Sequence, residues 1–303
     1  MAVRSVLGRR ALRVMCVLTG GALVLTGCTS NTEDGGAGSD AEKVQVDKVD
    51  AIAAQLPEKQ KQAGKLVIGV NVPYQPNEYK DASGKIVGFD VDLMNAVTEV
   101  LGVQAEYVES AFEKIIPAIQ AGTYDVGMSS ITDSEEREQQ VDFTTYFNAG
   151  IQWAQQTGKP VDPENACGKK VAVQATTVEH TDEVPAKSAA CVAAGKPAID
   201  IQAFDEQSQA TNALMLGQVD AMSADSPVTA YAIKQGGGKI ESAGSVFDSA
   251  PYGWAVPKGS PLAAALQQAV QHLIDNGQYK TITENWGVQD GAITTSVING
   301  ATS

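Results

Sequence analysis

The sequence predicts an α/β protein made of two consecutive α/β units. Between residues 65 and 287, short apolar segments alternate with longer amphipathic ones, a pattern typical of parallel strands joined by crossover helices. The alternation is interrupted at KPVDPENACG and then starts again. A weak internal repeat supports the division, because AIQAGTYDVGMSS and NALMLGQVDAMSAD each place a helix end, a glycine and an aspartate before a strand that ends near Met-Ser.

Composition and charge narrow the classes of protein. The chain has 303 residues and 43% apolar residues, enough to bury the cores of two α/β domains or one large domain. The formal net charge is −14. Arg4, Arg9, Arg10 and Arg13 lie in a segment that we expect to be removed, which leaves 18 basic against 36 acidic residues, or −18. So acidic a surface argues against nucleic acids and anionic membrane surfaces as direct partners.

The N-terminus is predicted to be a lipoprotein signal peptide over residues 1–27. Arginines precede an apolar run over residues 14–25, which is too short for a comfortable membrane span. The tetrad LTGC, which ends at Cys28, resembles the lipobox of bacterial lipoproteins. This resemblance implies cleavage before Cys28 and acylation (palmitate) of its thiol, with the mature protein tethered to the extracytoplasmic face of the cell membrane. The alternative is an ordinary secretory signal with an incidental cysteine. Residues 28–45 are predicted to form a flexible tether.

Local patterns predict the elements of the first unit. In FDVDLMNAVTEVLG the residues Leu93, Met94, Val97 and Leu101 share one helical face. In order, the predicted elements are a helix within residues 44–61, a strand (LVIGV), a Pro- and Gly-rich loop (NVPYQPNEYKDASGK), the helix just described, a strand (QAEYVES), a helix broken by Pro117 (FEKIIPAIQAG) and a strand (YDVGMSS).

The stretch SSITDSEEREQQVDF predicts a carboxylate site at the end of that last strand. Thr132, Asp133 and Ser134 are N-cap candidates, and Glu135 and Glu136 follow at the spacing of a capping box, so a short helix should start there. Arg137 falls in its first turn, where a guanidinium fork, hydroxyls and free backbone N–H groups can meet one small anion. The alternative is an exposed arginine in a helix's first turn, which is common.

The second unit repeats the alternation and ends in a helical segment. Its predicted elements are a strand (KKVAVQ), a helical segment interrupted by Pro185, a strand (AIDIQAF), a helix (DEQSQATNALMLGQ), a strand (VDAMSADS), a helix (SPVTAYAIKQGGG), an extended segment (PYGWAVPKG) and two helices (PLAAALQQAVQHLIDNG and QYKTITENWG). Residues 291–303 have no helical period, so we expect a loose C-terminal tail. Each strand ends at a polar loop, the usual binding edge of an open parallel sheet.

Two cysteines remain for a structural role once Cys16 and Cys28 are assigned to the N-terminus. Cys167 and Cys191 lie close in sequence, which in an oxidising compartment favours a disulfide. Closing a loop of this length contributes about 3 kcal/mol in the chain-entropy model. The alternatives are two free buried thiols or a metal pair. A metal site is disfavoured because His180 and His272 are the only histidines and neither has ligand spacing to a cysteine.

Taken together, the motifs resemble the extracellular solute-binding proteins of polar amino acid ABC transporters (family 3), which include glutamine- and histidine-binding proteins. The resemblance covers residues 65–287 and rests on the order and spacing of VGFDVDLMNAV, FEKIIPAIQAGTYDVGMSSIT, EREQQVDF, CGKKVAVQATT, VDAMSADSPVTAYAIK, YGWAVPKGSPL and ITENWG. It implies a type II periplasmic-binding-protein-like fold with a ligand cleft between two α/β lobes. Lobe 1 would contain residues 46–152 and 253–290, lobe 2 residues 153–252, and NAGIQWAQQTG and SAPYGWAVPKG would be the hinge strands.

The resemblance also implies roles for individual residues. The arginine that binds the ligand carboxylate falls on Arg137, and the acid that binds the ligand ammonium falls on Asp225. Asp225 is also a natural N-cap, with Pro227 just inside the helix. We expect seven further residues to line the cleft. They are Ser130 and Thr132 (backbone and hydroxyl contacts), Gln174, Thr176 and Thr177 (the lobe 2 loop), and Tyr74 and Phe112 (aromatic walls). For Phe112 the alternative is ordinary core packing.

Three departures from the family pattern leave the ligand open. Asn71 stands where many relatives have an aspartate that contacts polar or cationic ligand side chains. Glu78, near the same loop, either replaces that charge or is solvated. The usual glycine of the lobe 2 loop is shifted or missing in QATTVEH, so the backbone contacts there do not follow from the resemblance.

The function implied is capture of a free polar L-amino acid and its delivery to an ABC transporter permease by a monomeric lipoprotein without cofactor or metal. One alternative is a lipoprotein that senses an amino acid and serves no permease. Another is a dehydratase-like enzyme on the same fold. The enzyme is disfavoured because neither His180 nor His272 lies in a binding segment and the cleft residues provide no acid and base pair.

Overall fold

The computed structural model describes residues 44–301 and has the mixed α/β architecture that the alternating pattern predicts. The strands are β1 (Lys65–Val70), β2 (Tyr79–Lys80), β3 (Ile86–Val87), β4 (Gln104–Glu109), β5 (Val126–Gly127), β6 (Val141–Gln156), β7 (Lys170–Gln174), β8 (Asp200–Phe204), β9 (Ala221–Asp225) and β10 (Ile240–Pro257). The α-helices are α1 (Asp50–Ala53), α2 (Glu58–Ala63), α3 (Phe89–Leu101), α4 (Ile115–Gln120), α5 (Glu135–Glu138), α6 (Val184–Ala193), α7 (Gln207–Met215), α8 (Ser226–Gln235), α9 (Leu262–Asp275) and α10 (Gln278–Trp286).

One large sheet runs through the protein in the order β4-β1-β5-β10-β6-β9-β7-β8. At one end β1 pairs in parallel with β4 and β5, and at the other β7 pairs in parallel with β8 and β9. Between them β6 and β10 are antiparallel to each other. These two long strands therefore join a first lobe, built on β1, β4 and β5, to a second lobe, built on β7, β8 and β9.

The long strands change lobes where their pairing is irregular. The register of β10 against β6 shifts around Phe247 and again after Tyr252, and such bulges bend a strand. In the same region the backbone at Gly150 leaves no room for a side chain, because a Cβ there would lie 2.4 Å from Val246 Cγ1. Of the β6 residues, Ala149 packs in the core of the first lobe and Ile151 in that of the second.

Each lobe has its own apolar core, as the two units of the sequence predict. In the first lobe α3 contributes Leu93, Met94 and Val97 to a cluster that also contains residues of β1, α9 and α10. Gly102, at φ 69°, ends α3 in the left-handed conformation that glycine adopts without strain. In the second lobe, clusters lie on both faces of β7 and β9. The C-terminal helices α9 and α10 therefore pack on the first lobe.

Two prolines do not break helices as expected. Pro117 lies in the first turn of α4, and Pro185 is the second residue of α6, which follows a π-helical turn at Glu179–Glu183. The backbone N–H groups of a first turn have no intrahelical acceptor, so Pro117 costs little there. Pro185 instead follows the π-helical turn, where the α-helical hydrogen-bond pattern is already interrupted. The helix expected within residues 44–61 is instead two short helices, α1 and α2, separated near Pro57.

The C-terminal tail is not loose, which corrects the prediction for residues 292–301. Ile298 forms a β-bridge with Thr144, and the amide of Thr145 donates to the carbonyl of Val297 at 2.9 Å. The tail lacks a helical period because it is extended along β6, where backbone hydrogen bonds hold it without a helix.

The predicted disulfide is present between Cys167 and Cys191, with an S–S distance of 2.01 Å. It ties the start of the second lobe to α6, beside the core that contains Trp153 and Val184.

The predicted signal peptide (residues 1–27), the lipidation site Cys28 and the tether up to residue 43 lie outside the described residues. Within residues 44–301, every helix is too short or too polar to cross a membrane.

Candidate functional site

Strand ends from both lobes meet at a small, narrow cavity. The first lobe contributes the loops after β1 and β5, and the second lobe contributes the loops after β7 and β9. The residues that line the cavity are Asn71, Tyr74, Phe112, Ser129, Ser130, Thr132, Arg137, Gln174, Thr177, Val178, Glu179 and Asp225. Nine of the eleven residues predicted to line the cleft are therefore brought together, and the other two, Glu78 and Thr176, are not in the lining.

Arg137 is positioned by the short helix α5. Ser134 is the N-cap, and its hydroxyl accepts from the backbone N–H of Arg137 at 3.4 Å. The guanidinium donates to the carbonyls of Thr132 at 2.9 Å and Thr176 at 3.1 Å, so it touches both lobes. Its carbon lies 5.9 Å from the centre of the Phe112 ring, a cation–π distance. Held in this way, the group still has donors for an anion in the cavity.

Asp225 ends β9 and begins α8, but its side chain does not cap the helix. Instead its Oδ2 accepts from the hydroxyl of Tyr74, in the first lobe, at 2.5 Å. Burial raises the pKa of Asp225 well above its ordinary value, and the neighbouring charge of Glu179 raises it further. A cation in the cavity would relieve both effects.

A third contact between the lobes joins Gln174 to Asn71. The Gln174 amide donates to Asn71 Oδ1 at 2.9 Å, and the Asn71 amide donates to the carbonyl of Ser110 at 3.0 Å. Asn71 is thus an uncharged member of the cavity wall whose orientation is set by partners on both sides.

Glu78 lies beneath the cavity instead of lining it, which corrects the expectation that it contacts ligand. It is fully buried, and the Ser129 hydroxyl donates to its Oε1 at 3.1 Å. Burial and the nearby Asp90 carboxyl raise the pKa of Glu78. Asp90, which accepts from the Tyr146 hydroxyl at 2.6 Å, has a pKa raised by burial to about 6. Glu78 therefore supports the serine pair of the wall.

Glu179 is the main residue that sequence reasoning missed. It is 1% exposed, lines the cavity, and begins the π-helical turn after β7. Burial raises the pKa of Glu179, an effect reduced by its own backbone N–H, the Thr177 hydroxyl and the charge of Arg137. No donor in the described part of the chain reaches its Oε1. Its spacing of two residues from Thr177 was the available clue, since both belong to the loop already predicted to bind ligand.

In the lobe 2 loop, Thr176 takes the backbone conformation for which the family uses a glycine. Thr176 adopts φ 64°, in the left-handed region that glycine prefers. This conformation turns the Thr176 carbonyl toward Arg137. The loop thus keeps a left-handed position without a glycine.

The fold and the cavity together define a class of protein. Two α/β lobes of the type II periplasmic-binding-protein fold enclose a small polar cavity with one guanidinium and two buried carboxylates, an arrangement suited to holding a small charged solute. The bacterial extracellular solute-binding proteins, family 3, match residues 66–289, and the chain belongs to this family. The resemblance drawn from the motifs is confirmed, and the protein is a solute-binding protein.

Similar proteins bind amino acids. The arginine-binding protein ArgT of Corynebacterium glutamicum is 42% identical over 293 residues, covering 96% of each chain. The ABC transporter glutamine-binding protein GlnH of Bacillus subtilis is 29% identical and covers 85% of this chain and 92% of its own. Among solved structures, an ancestral arginine-binding protein bound to arginine is 35% identical, with a TM-score of 0.68 over 74% of this chain and 98% of its own. A structure of an ancestral arginine-binding protein bound to glutamine gives a TM-score of 0.67 at 35% identity and the same coverage.

Proposed function

We propose that the protein is the substrate-binding lipoprotein of an ABC importer, and that it captures a free basic L-amino acid, with arginine the first candidate. The observation that carries this proposal is the charge of the cavity wall, where one arginine faces two buried carboxylates. An amino acid's own carboxylate and ammonium account for one charge of each sign. The remaining negative charge calls for a cationic side chain. The names of several relatives agree with this assignment.

Each charged group of the ligand is assigned to a cavity residue of opposite charge. Arg137 binds the ligand carboxylate, and Ser130, Thr132 and Thr177, which also line the cavity, complete this end of the site. Asp225 binds the α-ammonium, and the ligand then links the two lobes by opposite charges, so only a zwitterion satisfies both. Tyr74 and Phe112 form apolar walls around the ligand's carbon chain.

Glu179 binds the side-chain cation in this proposal. Its buried Oε1 has no donor within residues 44–301, and Glu179 lines a cavity whose wall also contains the uncharged Asn71. Leaving one oxygen of a buried carboxylate without a donor is costly. A guanidinium or ammonium group from the ligand supplies the missing partner.

Delivery completes the proposed function. Cys28 carries the lipid that anchors the monomer to the extracytoplasmic face of the membrane, and the ligand-closed form docks on a permease. Ligand binding supplies the free energy that favours closure of the lobes around β6 and β10.

The test is ligand binding by the chain from about residue 39 onward. Thermal unfolding with each of the twenty amino acids identifies the ligands that stabilise the native state, and calorimetry then gives dissociation constants. We expect L-arginine to give the largest or second largest rise in the midpoint. Glu179→Gln should weaken arginine binding about 30-fold or more, because the guanidinium loses its charged partner.

The matched control is Glu183→Gln, a change of the same kind one helical turn further on, outside the cavity lining. It should leave arginine affinity within about twofold, a change of only ~0.4 kcal/mol. Wild-type arginine affinity in Glu179→Gln would refute the role of Glu179. If no free amino acid stabilised the wild-type protein, the proposed function itself would be wrong.

A further inference from the structure

The C-terminal tail contacts the loop that carries Arg137. We define residues 296–301 as the C-terminal strap and residues 132–138 as the arginine loop, which includes α5. The strap lies outside residues 66–289, the segment that matches the family.

The strap is anchored along β6 before it reaches the arginine loop. The Ser296 hydroxyl donates to the Thr145 carbonyl at 2.6 Å, and the Val297 amide donates to the Thr145 hydroxyl at 2.8 Å. Asn299 then exchanges two hydrogen bonds with Phe143: its amide donates to the Phe143 carbonyl at 3.0 Å, and its side-chain oxygen accepts from the Phe143 amide at 2.9 Å. The strap is therefore fixed relative to the sheet of the first lobe.

Beyond Asn299 the strap binds both ends of α5. The Gly300 amide donates to Asp133 Oδ2 at 2.7 Å, just before the N-cap Ser134. The Ala301 amide donates to Glu138 Oε1 at 3.0 Å, at the last residue of the helix. Asn299, at φ 56°, turns the chain toward these two carboxyl groups.

The arginine loop needs such support. The helix α5 has four residues, far fewer than an isolated helix needs to be stable. On its other side the loop is held by β10, where the Asp133 amide donates to the Pro251 carbonyl at 2.8 Å and Thr132 bridges to Tyr252. Two further supports are the strap and the Lys258 ammonium, which donates to the Glu138 carbonyl. Asp133 is 1% exposed, so losing the Gly300 donor would leave a buried carboxyl group with fewer partners.

We infer that the C-terminal strap positions the arginine loop, and through it Arg137, for binding of the ligand carboxylate. This inference rests on the proposed function of the cavity. The strap contacts no residue of the cavity lining directly, so it acts through the backbone that carries Arg137. An error of about 1 Å in the position of the guanidinium is enough to weaken a bidentate contact.

The test compares the protein with a variant that ends at Ile298. The matched control ends at Ala301 and keeps every strap contact described above. In the shorter variant we expect amide hydrogen exchange in residues 131–138 to be faster by about tenfold or more, while exchange in residues 170–177 of the second lobe stays the same. Equal exchange in residues 131–138 of the two variants would overturn the inference, whatever the ligand.

Ligand affinities distinguish a strap that positions Arg137 from a strap that only stabilises the fold. L-arginine and L-argininamide differ in the group that Arg137 binds, because the amide lacks the carboxylate charge. The preference for L-arginine over L-argininamide should fall about tenfold in the variant that ends at Ile298, or about 1.4 kcal/mol. A purely structural strap would weaken both ligands alike and leave this preference unchanged, which would also overturn the inference.

A second variant covers the case in which the shorter chain does not fold. Asn299→Gly keeps the left-handed backbone but removes both side-chain hydrogen bonds of Asn299, and it is judged by the same two measurements. Binding of neither ligand by the full chain would refute the proposed function, while hydrogen exchange would still decide the role of the strap.

Discussion

Thr176 carries a left-handed backbone in a β-branched residue. This conformation costs about 1–2 kcal/mol for a residue with a Cβ, and the Thr176 hydroxyl bonds only to the adjacent Ala175 carbonyl, at 2.7 Å. The neighbouring carbonyl contact with Arg137 depends on the backbone and not on the threonine side chain. A substitution at Thr176 can therefore remove the backbone strain and keep the hydrogen bond from Arg137 to the carbonyl of residue 176.

Thr176→Gly should raise the free energy of unfolding by about 0.5–1 kcal/mol. The gain is the relief of backbone strain, reduced by the greater freedom of glycine in the unfolded chain. Urea unfolding measures it, and ligand affinity should be retained. Ala175→Gly is the control, since Ala175 has no positive φ to relieve; it should destabilise. Lower stability in Thr176→Gly would show that the turn carries no strain.

Single residues of the site were predictable where a motif fixes both the residue type and its place after a strand. Arg137 follows β5 and Asp225 ends β9, and both line the cavity. Glu78 and Glu179 could not be told apart by sequence. Both are acids close to a binding loop, and only the path of the chain buries one beneath the cavity and exposes the other's carboxyl group to it.

At the scale of elements, the disulfide is a local constraint on the second lobe. It links the segment before β7 to α6 with a sequence separation of 24 residues. Residues around it, such as Trp153 and Val184, form the core on that face. The cavity is lined by other residues of the lobe.

Replacing Cys167 and Cys191 together by alanine should lower the free energy of unfolding by about 3 kcal/mol, because the unfolded chain is no longer cross-linked. Denaturant unfolding measures this loss, with reduced wild-type protein as the comparison. At a temperature where the variant is folded, arginine affinity should be unchanged. A large loss of affinity with the fold intact would mean that the disulfide orders the loop after β7 as well.

Most helices and strands were predictable from the spacing of apolar residues along the chain. The features that this spacing did not predict share one cause. Patterns of spacing identified α3, α9 and the short buried strands, whose residues all contact a neighbouring element. They did not show that the tail pairs with β6, and the two strands that join the lobes, β6 and β10, were expected only from the family resemblance. Those features depend on partners distant in sequence, and a local pattern does not contain them.

For the whole molecule, buried carboxyl groups set the dependence of stability on pH. Burial raises the pKa of Asp133 to about 7, of Glu183 to about 7 and of Asp90 to about 6. In the unfolded chain these groups lose their protons near pH 4. Between those values the folded protein binds more protons than the unfolded chain, so the free energy of unfolding falls as the pH rises.

We therefore expect a higher unfolding midpoint at about pH 5 than at about pH 7.5, with each such group contributing up to about 1.4 kcal/mol per pH unit. Asp125 and Asp142, whose pKa values are lowered, act in the opposite direction only below about pH 4. Calorimetric scans across this range measure the slope. Glu183→Gln should make it shallower, because the neutral amide removes one titrating group. A midpoint that rises steadily up to about pH 7.5 would contradict the assignment.

The first lobe takes its strands from early in the chain and its helices α9 and α10 from near the end. A ribosome therefore completes the second lobe, with both of its cysteines, before it has made the residues that finish the first. The strap, which supports the arginine loop, is synthesised later still. A chain interrupted before this point contains all strands of the second lobe and an unfinished first lobe. The loop that carries Arg137 therefore receives its last hydrogen bonds only when the end of the chain has been made.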